Sequence, residues 1–345
     1  MKYRSIDECW RYLRGTRHRP VGFAIQNERK KLYSSALEQS EQFFRMSDKA
    51  GPETKPVLLY YGLNQAARAL VAAATRPGRP FEVSGHGIKV SNLDDIDHLA
   101  DLRVVDAPRK NDKSSFLTLA RSISSPALRK DGATVGELWG TLPEACAVPL
   151  SMRPKYEVIR VGTVASGKKA GRYTGSLVIR GRLRELNVDE GLSYAQRLDL
   201  LYRIYPGLHS VQPRQAPGST RFGGLISSKS GQYYTISDVV LPNGRIHTVD
   251  DLYRRGHRLY RDSKGRSTIV LPAVCGNTRA LDPIIGWWSV LFALSMLARY
   301  RPGAWSSMLD VDTSADAVSI EHLMRQAHKS CVNLTAWHMR NCDLS

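Results

Sequence analysis

PVLLYYGLNQAARALVAAAT, residues 56–75, is apolar on nearly every side and runs into RPGRP at 76–80. A helix apolar all round needs cover on all sides, so this stretch reads as a central bundle helix, stopped by Pro and Gly. A second run of the same kind, PIIGWWSVLFALSMLA at 283–298, is uncharged for sixteen residues, short of the twenty or so that span a bilayer. It reads as a buried core helix continuing to residue 300. Each of the two needs covering, so they are expected to meet, although most of the chain lies between them.

Around the first helix, RKKLYSSALEQSEQFFRMS (29–47) spaces Leu32, Ala36, Leu37, Phe43 and Phe44 in a helical period, and a Gly-Pro break at 51–52 follows. Residues 29–47 and 56–75 are therefore expected to form a helical hairpin. Residues 81–105 read as irregular with short strands, and SSFLTLARSI (114–123) as a helix. Thr134 and Glu137 have the spacing of a capping box for another short helix. From Tyr156 to Leu271 the character changes. YEVIRVG, SLVIRGRL, QYYTISDVVL and STIVL are β-branched and aromatic runs, PNG at 242–244 signals a tight turn, and one helix, 193–204, ends before Pro206. Residues 283–300 and 315–341 return to helix. The expected fold class is α+β, with helical N- and C-terminal parts (1–150 and 276–345) forming a composite domain around a β-rich basic segment (151–275).

Charge narrows the function. The 345 residues carry 50 Lys plus Arg against 32 Asp plus Glu, a formal +18. Such an excess concentrates polyanions, so nucleic acid is the expected partner, and an acidic protein partner is the alternative. Cys9, Cys146, Cys275, Cys331 and Cys342 are scattered and odd in number, with no C-x-x-C pair. This pattern fits a reducing cytoplasm. The N-terminus, MKYRSIDECWRYLRG, has no apolar core of a signal peptide, and no membrane association is expected.

GTVASGKK, 162–169, matches the phosphate loop G-x-x-x-x-G-K-[ST] except at its last position, Lys169. A phosphate loop needs a helix after it and a hydroxyl for Mg²⁺. Here AGRYTGSLVIRGR follows, which is strand-like, so the stretch reads as the turn of a basic β-hairpin. Arg153, Lys155, Arg160, Lys168, Lys169, Arg172, Arg180, Arg182 and Arg184 face only Glu157 in opposition, with Tyr156 and Tyr173 interleaved. On a hairpin, alternation would gather several of them on one face suited to a phosphate backbone; the same residues would equally serve a solvated hairpin whose edge is guarded by charge. RRGHRLYRDSKGR, 254–266, adds Arg254, Arg255 and Arg258 to the nucleic-acid-binding candidates.

No metal or cofactor motif emerges. His328, Cys331, His338 and Cys342 could share one stripe of the last helix, but a straight helix aims only about one such pair at an ion. Core or capping roles suit them better. DDIDH, 94–98, reads as a solvated turn. Two arginines stand out: Arg68, in an uncharged helix with Asn64 and Tyr60 on its stripe, and Arg299 at the end of the second apolar helix. Each must be paired, capped or open to a cleft. If the helices pack together, the two could form an anion pocket; otherwise Arg299 caps its helix and Arg68 snorkels to solvent.

LLYYGLNQAARAL (58–70), GHGIKV (85–90), SSFLTLARSIS with TVGELWGTLPE (114–144) and above all VLFALSMLARYRPGAW (290–305) resemble the YaaC-like family of bacterial proteins over nearly the whole chain. The resemblance implies an intracellular bacterial protein and brings no reaction with it. The Tyr-Tyr-x-Leu helix is also similar to helices of HEPN proteins, which serve RNA cleavage, toxins and antiphage defence. HEPN ribonucleases carry Arg, four to six residues, then His. Three such pairs occur, Arg11–His18, Arg79–His86 and Arg203–His209, about what 35 Arg and nine His give at random. The expected function is polyanion (RNA or DNA) binding in stress or antiphage defence. The alternatives are an HEPN-like ribonuclease, with Asn64, Arg68 and Arg299 as candidate catalytic residues, and a module docking an acidic protein.

Overall fold

The computed structural model describes residues 5–107, 113–169, 172–180, 194–210, 225–227, 233–241, 260–261 and 268–342. The fold is α+β, helical at both ends with antiparallel sheet in the middle. Two compact units emerge, one built from Tyr3–Pro154 with Leu281–Ser345, the other centred on Lys155–Ala280.

In the first unit, α1 (Ile6–His18) begins at a capping box: Glu8 N–H donates to Ser5 Oγ at 3.2 Å and Ser5 N–H to the Glu8 carboxylate at 3.0 Å. α2 (Asn27–Lys49) and α3 (Lys55–Ala74) form the hairpin expected from their periodicity. They meet closely at Gly62, where an added Cβ would lie 3.0 Å from the Phe44 ring and where Ser40 Oγ donates to the Gly62 carbonyl at 2.8 Å.

A small antiparallel sheet of β1 (Ile88–Val90), β2 (Arg103–Asp106) and β3 (Ala133–Thr134) follows, with α4 (Ser115–Ser122) and α5 (Val135–Gly140). The Thr134–Glu137 capping box is formed in both directions, at 3.1 and 2.8 Å.

In the second unit the described strands are β4 (Ile159–Lys169), β5 (Arg172–Arg180), β6 (Leu225–Ser227), β7 (Tyr233–Leu241), β8 (Tyr260–Arg261) and β9 (Thr268–Val270). They form one antiparallel sheet in the order β6-β7-β5-β4-β9-β8, accompanied by α6 (Tyr194–Ile204). GTVASGKK is thus not a turn, as the glycines suggest, but the second half of strand β4, with a register shift between Ala165 and Gly167. A strand in place of a helix excludes the phosphate loop, since no helix N-terminus faces an anion there. The PNG turn at 242–244 lies outside the described residues.

The chain returns to the first unit with α7 (Pro283–Tyr300), α8 (Pro302–Leu309) and α9 (Ala317–Cys342). Asp282 caps α7 by accepting from Ile284 N–H at 3.0 Å, and Pro283 occupies the first turn, where a missing N–H is harmless. α7 is long and apolar enough to cross a membrane by composition, but 78% of that stretch is buried against the unit's other helices. It packs on α3, whose remaining sides are closed by α2, α4 and α9. Trp139, Trp287, Trp288 and Trp305 are all almost fully buried in this core.

Candidate functional site

The basic positions of the second unit fall into register. Arg160 pairs with Arg180 and Lys169 with Arg172, while Lys168 pairs with Tyr173. Paired positions share a face and alternation extends it along β5, so positions 160, 169, 172 and 180 line one face and 168 the other. Near the start of β4 the first face is open, with Arg160 exposed, and the second is closed, with Ile159 and Val161 buried. Arg182, Arg184, Arg254, Arg255 and Arg258 lie outside the described residues.

Asn64, Arg68 and Arg299 lie in the first unit, the first two on the same helix as Tyr60. Tyr60 is fully buried on α3, and its hydroxyl meets His86 Nδ1 at 2.6 Å. Phe292 of α7 packs on both rings, 5.4 Å from Tyr60 and 5.5 Å from His86, and Trp288 meets Tyr60 edge-on at 6.0 Å. Burial holds the Tyr60 phenol well above its usual range; nearby Tyr61 adds to this, and the charges of Arg299 and Arg68 oppose it.

Helical side chains lean toward the N-terminus of their own helix. Arg299 reaches back along α7 to donate from Nε to the Ser295 carbonyl at 3.1 Å, with its guanidinium 5.2 Å from the Tyr300 ring centre. The Nε of Arg68 is buried with no hydrogen-bond partner, as is Asn64 Oδ1. Among the described residues neither arginine has a carboxylate partner.

His86 is presented by a built loop. Gly85 and Gly87 on either side stand at φ 67° and 80°, and the carbonyls of Gly85, His86 and Gly87 accept from Ser115, Phe116 and Ala107 at 3.2, 3.1 and 2.8 Å. Two of these donors open helix α4, so the loop is seated on that helix end. Tyr60 keeps its proton, and the direction of its bond with Nδ1 follows the tautomer of the imidazole. His86 was missed by motif counting because its pairing with Arg79 is a chance spacing: Arg79 is exposed and lies off any helix. The legible signal was the Gly-His-Gly triplet itself, since two glycines around one polar residue mark a backbone that only glycine adopts easily.

The other expected places are occupied by structure. His328 stacks on Phe44 at 5.1 Å, accepts from Trp10 Nε1 at 3.3 Å and meets Asp48 at 2.9 Å through Nδ1. An indole N–H can only donate, so the His328 proton sits on Nδ1, facing Asp48. His338 bonds Asp282 at the head of α7 at 3.1 Å, and burial pushes the Cys331 thiol well up. In DDIDH, Asp94 takes a bond from Arg301, at 3.2 Å on its carboxylate and 2.9 Å on its carbonyl.

A family model described as YaaC-like Protein matches residues 2–339. No curated protein and no solved structure matches the chain.

Proposed function

We propose, for a chain that belongs to the YaaC-like family, that it is a cytoplasmic protein binding RNA or DNA as a polyanion, in stress or antiphage defence. The observation behind this reading is the β4–β5 face with basic positions 160, 169, 172 and 180 in line, in a chain of net charge +18. A row of cations on a twisted sheet follows a phosphate backbone without reading bases, so affinity comes from counterion release. About four such contacts give a log–log salt slope on the order of −3 to −4 with duplex DNA. Fluorescence anisotropy of labelled oligonucleotides between low and moderate salt measures the slope. A flat slope, or no binding, would sink this reading in favour of an acidic protein partner. The double change Lys168→Glu with Lys169→Glu should weaken binding; unaltered affinity would leave the hairpin with a structural role alone.

A second reading, an HEPN-like ribonuclease with Asn64, Arg68 and Arg299 as its candidate residues, is favoured by the buried Nε of Arg68, which has no hydrogen-bond partner. A guanidinium with a spare N–H suits a developing negative charge. Incubation of the pure protein with total RNA tests it, with Arg68→Ala in parallel. Cleavage by the wild type that survives Arg68→Ala would reject this site.

A further inference from the structure

RPGRP, 76–80, does more than stop α3. Arg79 N–H donates to the Arg76 carbonyl at 3.2 Å, with Pro77 second and Gly78 third at φ 80°, the pattern of a type II turn. The same Arg76 carbonyl accepts from Arg29 Nη2 at 3.4 Å, so the turn is fastened to the start of α2. Beyond the turn, Ser84 N–H donates to the Lys113 carbonyl at 2.7 Å. Between these segments lies a pocket of about 520 Å³, the size of a small-molecule site. Arg29 is on its wall and only 3% exposed. Its guanidinium meets three carbonyls and the Phe81 ring, but no carboxylate among the described residues. Those bonds use three of its five N–H groups. Burial pushes its pKa down, and the charge of Glu28 opposes this. An unpaired buried charge is costly, and the end of a helix offsets only about half of it. Arg79, Lys113, Glu28 and Glu82 also line the pocket, and among the described residues none of the four forms an ion pair. Opposite charges that share a pocket without pairing are left for a ligand that carries both.

We propose that this pocket binds a small zwitterion, an α-amino acid with an apolar or aromatic side chain. Its carboxylate goes to Arg29, which is held by carbonyls before any ligand arrives, so little ordering remains to be done on binding. Its ammonium goes to Glu28 and Glu82, and its side chain to the ring of Phe81 and the prolines of the turn. The charge count decides between ligand classes. Three cations stand against two carboxylates, and the end of α3 offsets part of Arg29, which leaves the pocket near neutral. A phosphate monoester would bring about −1.5 to −2 against two carboxylates, and an amine alone would meet three cations. A ligand of both signs meets neither conflict. Every residue of the pocket belongs to the first unit, so this inference does not rest on the basic face of the second.

The test is thermal unfolding and calorimetry of the full chain with L-phenylalanine, L-leucine and inorganic phosphate. Two derivatives of phenylalanine are added: the N-acetyl form, which lacks the ammonium, and the amide, which lacks the carboxylate. The wild type should show a saturable rise in melting temperature with a free amino acid and bind each derivative at least ~10-fold more weakly. Glu28→Gln with Glu82→Gln, two exposed positions whose change should spare the fold, should bind the free amino acid ~10- to 100-fold more weakly. Asp199→Asn with Glu321→Gln, which removes the same charge from exposed ion pairs, should bind like the wild type. Arg29→Lys keeps the charge, loses the planar fork and should also weaken binding; if it fails to fold, the Glu28→Gln/Glu82→Gln chain carries the test. No saturable response to either free amino acid, an equal response in the Glu28→Gln/Glu82→Gln chain, or equal binding of the N-acetyl form overturns the proposal. Saturable binding of inorganic phosphate in place of the amino acids would make the pocket an anion site, and overturns it too.

Discussion

At Gly87 the backbone stands at φ 80°, and a Cβ there would lie 2.4 Å from Ser114 Cβ. Gly87→Ala should therefore cost about 2 kcal/mol or more in chemical denaturation, through both conformational strain and collision. Tyr60→Phe is the milder change. It removes one part-buried hydrogen bond, and should cost about 1 kcal/mol in chemical denaturation. Glu41 gives a residue-level dependence on pH. Burial alone would raise its carboxyl, but the Arg14 hydrogen bond and the charges of Arg14, Arg45 and Arg17 outweigh burial and hold it below the usual carboxylate range. A carboxyl depressed in the folded state stabilises above its unfolded pKa and loses that contribution as pH falls through the folded value. The stability gap between wild type and Glu41→Gln should thus be full at pH 7 and close as pH drops below about 4.

Among the elements, α3 shows how a helix with an apolar exterior is finished. The carbonyls of Ala72 in its last turn and of Thr75 and Arg76 just past it are taken by the buried guanidinium of Arg29, which lies 4.4 Å from the Phe81 ring centre. Arg29→Met keeps the packing but orphans those carbonyls, and should cost about 2–3 kcal/mol in urea unfolding. Thr134→Ala, which opens a capping box on a short helix, should cost about 1 kcal/mol. α3 and α7 were legible in the sequence because their composition admits only a buried helix and Pro punctuates both. α1 carried its own signal, Ser5 and Glu8 three apart, but its surface is mostly charged and gave no apolar run to draw the eye. GTVASGKK misled through its glycines: a glycine in a strand can mark a register shift as well as a turn, and only pairing with β5 distinguishes them. The Tyr60–His86 bond joins a helix to a loop 26 positions away, and no periodicity encodes such a contact.

For the molecule as a whole, an excess of positive charge implies solubility and polyanion affinity together, so salt separates two contributions. Raising ionic strength should weaken oligonucleotide binding steeply while leaving the melting temperature of the helical unit little changed, because that unit is held by apolar packing; parallel anisotropy and calorimetry would check this. The split of the helical unit across the chain has a further consequence, in the order of its making. α3 leaves the ribosome early, while α7, the helix that covers Tyr60, follows only after residues 155–280 have been added. At about 5–20 residues per second that interval is on the order of ten seconds, during which an apolar helix waits without its lid. Nascent chains arrested before Leu281 should be cut rapidly by protease and held by chaperones, and chains arrested after Cys342 has cleared the exit should resist both.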